Sequence, residues 1–146
     1  MLKGILAISG QPGLYKMVSQ TRNGIIVEHI ETKKRMPAFA THKISSLEDI
    51  AIYTEDEEVL LKDVFKNIYK QTNGKEAISH KSSSNEIKDF FGKVLPDYDE
   101  DRVYVSDMKK VINWYNSLYK ANIINEETVN EKEEEKTEEV EKEQEA

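Results

Sequence analysis

The chain is 146 residues long, with 28 acidic and 21 basic side chains, no cysteine and 38% apolar residues, a share below that of an ordinary globular domain. This composition excludes disulfides, thiolate metal sites and a cysteine nucleophile, and it predicts that part of the chain is not globular. Charge locates that part: residues 126–146 hold eleven Glu and three Lys, a net of −8, which leaves 18 basic and 17 acidic groups over residues 1–125.

Residues 1–125 suffice for one core or two small ones. The apolar stretch near the start, Ile5 to Ile8, is far too short for a signal-peptide core or a membrane span, so a cytoplasmic protein with no membrane partner is expected. Lys3 to Ile8 reads as a strand that ends at Gly10-Gln11-Pro12-Gly13, where two glycines and a proline force a reversal. Next, Leu14–Gln20 and Ile25–Ile30 flank Asn23-Gly24, which predicts a hairpin closed by a type I′ turn with positive φ. Arg35 to Thr41 is a poorer strand, because Pro37 lacks a ladder donor and belongs on an edge or at a bulge. Ser45–Asp49 predicts one capped helical turn, and Ile50–Thr54 returns to strand. Five short strands with a single helical turn before the last predict a small SH3-like antiparallel β-barrel over residues 1–55.

After Glu55-Asp56-Glu57-Glu58 the apolar period changes to 3.6. Val59, Leu60, Val64, Phe65 and Ile68 predict an amphipathic helix from about 58 to 71, in a connecting segment of residues 56–73. Residues 74–83 are small and polar and read as a linker. Ser83 with Glu86 forms a capping box for a second helix with the face Ile87, Phe90, Phe91 and Val94, ended by Pro96. A third helix is expected from Ser106 as N-cap, with the stripe Met108, Val111, Ile112, Tyr115, Leu118 and Tyr119 and with Trp114 at its edge. The reading is therefore an α+β chain: the β-barrel, a three-helix segment whose last two helices form a small domain at 84–122, and a disordered acidic tail at 123–146.

Few features organise chemistry. The Gly10–Gly13 loop lacks the Gly-Lys-Ser/Thr ending of a phosphate loop and no helix follows it, which leaves a tight turn. Asp97-Tyr98-Asp99-Glu100-Asp101 alternates carboxylates as a calcium loop does. That frame, however, puts Arg102 where a glycine is required and Met108 where a bidentate Glu is required, so Arg102 is expected to pair with a nearby carboxylate. His29, His42 and His80 show no metal-ligand spacing, and no Gly-x-Ser-x-Gly elbow is present. A non-enzymatic binding or adaptor protein without cofactor or metal is expected.

One asymmetry has physical content. Residues 1–46 carry seven basic side chains against Glu28 and Glu31. Lys16, Arg22, Lys33, Lys34, Arg35 and Lys43 are the candidate ligand-binding residues. With Tyr15 or Phe39 exposed beside them they would suit a nucleic-acid backbone and its stacked bases. The plainer alternative is that these lysines keep a small sheet soluble and unpaired. Scattered placement would favour another protein as partner, or a purely structural role. The acidic tail is a candidate competitor for the same basic loops, or simply a solubilising extension.

Leu2–Lys16, Arg35–Ala40 and Leu47–Thr54, together with Val94–Asp99, Arg102–Asp107 and Trp114–Asn116, resemble a family of short uncharacterised proteins from the Bacteroidetes. The resemblance spans about residues 1–120. It implies a β N-terminal domain joined to a small helical one, both of unknown function, and it assigns no catalytic or binding residue.

Overall fold

The computed structural model describes residues 2–11, 13–39 and 43–129. Strands β1 (Ile5–Ile8), β2 (Tyr15–Gln20), β3 (Gly24–His29), β4 (Arg35–Phe39) and β5 (Ile44–Ser46) are followed by a 3₁₀ turn at Leu47–Asp49. A second hairpin, β6 (Ala51–Tyr53) and β7 (Glu58–Leu60), leads into α1 (Leu61–Gln71), α2 (Ser84–Val94) and α3 (Val105–Lys120).

The first five strands form one antiparallel sheet in the order β4-β3-β2-β1-β5. It is open: among the described residues β4 and β5 do not pair, so the expected closed barrel is corrected to an open sheet. The last strand of the expected barrel pairs elsewhere. Thr54, fully buried, donates its Oγ1–H to the Glu57 carbonyl at 2.8 Å and accepts from the Glu57 N–H at 3.0 Å. That turn folds Glu58–Leu60 back onto Ala51–Tyr53 as a separate two-stranded sheet. Val59 and Leu60, read as the start of a helix, are therefore strand. The first amide of α1 is satisfied by the Ile50 carbonyl, in place of a side-chain cap.

The β2–β3 hairpin forms as expected, but its turn does not. Neither Asn23 nor Gly24 has positive φ; the Thr21 N–H donates to the Gly24 carbonyl, and Gly24 lies inside β3. What requires glycine there is β4, since a Cβ on Gly24 would collide with the Ala38 carbonyl. The two faces of the sheet separate cleanly. Ile8, Tyr15, Val27 and Ala38 pack together on one face, in a cluster that among the described residues holds no helix side chain. Val27 and Ala38 reach 0% exposure there, with Leu6, Ile25, Met36 and Ile44 packed around the cluster. On the opposite face Ile5 and Ala7 of β1 join the main core.

That main core is continuous from end to end. Leu2, Ile5, Leu14, Ile30 and Leu47 pack in one cluster with Leu61, Val64, Phe65 and Ile68 of α1, Ile87, Phe91 and Val94 of α2, and Met108, Val111, Ile112, Tyr115 and Leu118 of α3. Ser83 caps α2, accepting from the Glu86 N–H at 3.2 Å while its hydroxyl donates to the Glu86 carboxylate. The start of α3 differs from expectation. Its N-cap is Tyr104, whose N–H donates to the Asp107 carboxylate at 3.0 Å, so Ser106 is already helical. Residues 75–78 of the expected linker are pinned to α3: Asn116 accepts from the Ala77 N–H and donates to the Ile78 carbonyl, and the Tyr115 hydroxyl donates to the Lys75 carbonyl. Ile124 and Val129 are buried in the same core, so packed chain continues to Val129 where composition drew a tail from 123. Residues 130–146, where the rest of that tail falls, lie outside the described residues.

Candidate functional site

Directly opposed residues of neighbouring antiparallel strands point to the same face. Lys16 of β2 opposes Glu28 of β3, and Glu28 opposes Arg35 of β4, so the three form one row across the sheet. They share the face that carries Ile5, at the part beyond β1. Arg35 Nε donates to Glu28 Oε1 at 3.2 Å, which holds the guanidinium over the row. Two strand positions along are Ile26 and Pro37, opposed to each other, and two further along is Phe39, opposed to Gly24 and 45% exposed. Of the two aromatic candidates, Phe39 is thus on the face of Lys16 and Arg35. Tyr15, 5% exposed, is buried on the other face.

The turn between β3 and β4 brings Lys33 and Lys34 to the Arg35 end of this face. His29 builds the turn. Its Nδ1 accepts the Glu31 and Thr32 N–H groups, both at 3.2 Å, while its own N–H donates to the Lys34 carbonyl and its carbonyl accepts from the Lys33 N–H. Lys33 then takes a φ of 64°, in the left-handed region. The imidazole stands edge-on to the Tyr15 ring at 5.2 Å, over Gly13, whose φ of 83° and lack of a side chain leave room for it. His29 thereby has a structural role in the turn. Arg22 lies at the other end, in the β2–β3 turn two residues before Gly24, which opposes Phe39. Five of the six candidate basic residues thus lie on this outer face or at its ends, and all five are exposed. Lys43 does not join them; it precedes β5 and lines a cleft against α3.

That cleft holds Lys110, which carried no signal in the sequence, and Trp114, which was expected at the edge of its helical stripe. Lys110 and Trp114 of α3 face Ser9, Ser45 and Ile50 across it. Trp114 gave a signal, standing off the centre of its helical stripe, but what it meets depends on how sheet and helix dock.

The acidic connection between α2 and α3 is occupied by its own interactions. Arg102 Nε donates to Asp99 Oδ2 at 2.8 Å, as expected, and its guanidinium lies 4.4 Å from the centre of the Tyr53 ring. Asp99 also accepts from the Asp101 N–H. The Arg102 hydrogen bond first, then the Asp101 amide, hold the Asp99 carboxyl below its ordinary value of 3.8. A carboxyl with a lowered folded-state value stabilises the fold fully above its ordinary range, and that contribution is lost as pH falls through the lower value. The wild type is accordingly expected to lose thermal stability more steeply on acidification below about pH 4 than Asp99→Asn does. Parallel Tm curves for the two would remove Asp99 from the acid response. Among the described residues no three His, Asp or Glu are grouped to hold a metal, and no helix is long and apolar enough to cross a membrane.

Fold and surface together define a small α+β protein in which, among the described residues, an open sheet and helices α1–α3 share one core and the part of the sheet beyond β1 carries a basic, exposed face. Residues 2–47 match the family described as Domain of unknown function (DUF5606), and residues 50–118 match Domain of unknown function (DUF6852), with the junction in the 3₁₀ turn and the residue after it. A structural-genomics solution NMR structure from Bacteroides vulgatus is similar at 49% identity and a TM-score of 0.72, over 86% of this chain and 90% of that one. The chain belongs to this two-domain family. No curated protein matches it.

Proposed function

We propose that the protein is a non-enzymatic, cytoplasmic binding module that takes single-stranded nucleic acid along the outer face of β2, β3 and β4. One observation carries this reading: an exposed phenylalanine, Phe39, shares a sheet face with Lys16 and Arg35, and Lys33, Lys34 and Arg22 stand at the ends of that face. Cations track a phosphate backbone, an exposed ring stacks a base, and together they suit single strands without sequence-specific recognition. Glu28 is engaged by Arg35, which leaves Glu31 as the other carboxylate of the strip.

The test is fluorescence anisotropy with a labelled oligothymidine and an oligouridine across a salt series. Both are expected to bind at low salt. Lys33→Glu with Lys34→Glu should weaken binding and flatten the log–log salt dependence by about 0.7 for each phosphate that these side chains no longer neutralise. Phe39→Ala should weaken binding by about 1–3 kcal/mol and leave the salt slope unchanged. If the wild type binds neither oligomer at low salt, the nucleic-acid reading fails and the same face is left for a protein partner.

A further inference from the structure

We propose that the cleft between the β1–β5 side of the sheet and α3 is a binding site for a small aromatic phosphate ester of mononucleotide size. The cleft has a volume of about 440 Å³, and it adjoins a second cavity of about 270 Å³ through Ile50, Lys110 and Trp114, which line both. That size lies in the range of ligand sites, which form preferentially where domains meet. Here one wall comes from the N-terminal domain and the other from the C-terminal one, so neither segment makes the site alone.

The larger cavity has a one-sided chemistry. Among the described residues Lys43 and Lys110 line it and no carboxylate does. Among those same residues neither ammonium has a hydrogen-bond or ion-pair partner. Apart from the shared Lys110, the charged groups of the smaller cavity are already engaged: Asp107 accepts from the Tyr104 N–H, and Arg102 is held by Asp99 and the Tyr53 ring. Positive charge without a protein partner among the described residues is therefore concentrated at the end lined by Ser9, Ser45 and the two lysines. Trp114, half-buried, stands between the two ends with Ile50. An anionic group between the ammoniums and a planar ring against the indole satisfy both features at once. The outer sheet face uses none of these residues, so the two sites stand or fall separately.

Trp114 is the only tryptophan of the chain, so its emission reports on this cleft alone. The full chain is titrated at low salt with adenosine monophosphate, adenosine and inorganic phosphate. The monophosphate is expected to change the emission saturably, and adenosine or phosphate alone to bind about tenfold more weakly or worse. Lys43→Ala with Lys110→Ala removes two exposed side chains and should leave the melting curve in place while weakening the monophosphate about tenfold. Lys16→Ala with Arg35→Ala should leave its affinity unchanged. The proposal is overturned by a wild type without a saturable response, by phosphate or adenosine binding as well as the ester, or by a double lysine variant that binds it normally. Should that variant unfold, the comparison of the three ligands on the wild type still decides.

Discussion

Gly24→Asn is expected to destabilise the protein about as severely as Gly24→Val, each by about 3 kcal/mol, a fall in Tm of roughly 10 °C. The asparagine is the informative variant. If Gly24 supplied positive φ to a type I′ turn, asparagine would be tolerated there, because it enters the left-handed region more readily than other side chains. The observed constraint is different: any Cβ at this position meets the Ala38 carbonyl of β4, and asparagine has one. Thermal melts of the two variants separate the explanations. A Gly24→Asn protein that melts with the wild type would show that β4 does not approach Gly24 as described.

Leu47→Ala is expected to cost about 2–5 kcal/mol, the range for emptying a buried leucine site. Leu47 is fully buried in the 3₁₀ turn at the junction of the two domains and belongs to the cluster that joins the sheet to all three helices. Because that cluster is continuous, the variant should unfold in a single transition at a lower temperature. Far-UV ellipticity and Trp114 emission should report the same midpoint. Two separated transitions, one for each domain, would contradict a shared core.

Features set by neighbouring residues were legible in the sequence. The β2–β3 hairpin, the Ser83 cap with its Glu86 partner, the apolar faces of the helices and the pairing of Arg102 with Asp99 all depend on residues a few positions apart. What was missed is either ambiguous locally or depends on distant partners. Val59 and Leu60 are an apolar pair that fits either period, and the hydroxyl of Thr54 that turns them into strand is an ordinary threonine in the sequence. Gly24 signalled a turn, although its reason is the backbone of a strand fourteen residues on. Asn116 looks like one more polar helix residue until it meets Ala77, 39 positions away.

The candidate site divides in the same way. The basic residues and Phe39 were readable as a set, because strand parity puts Arg35 and Phe39 on one face. The cleft was not readable, since Lys43 and Lys110 lie in different domains and converge only when the sheet edge docks beside α3.

Mapping amide shifts of the ¹⁵N-labelled full chain during titration with an oligouridine at low salt asks most directly whether the outer sheet face is the binding surface. Shifts at Lys16, Ile26, Lys33, Arg35 and Phe39 that reverse on adding salt are the predicted result. No shifts at all, or shifts confined to the helices and remote from β2–β4, would contradict it.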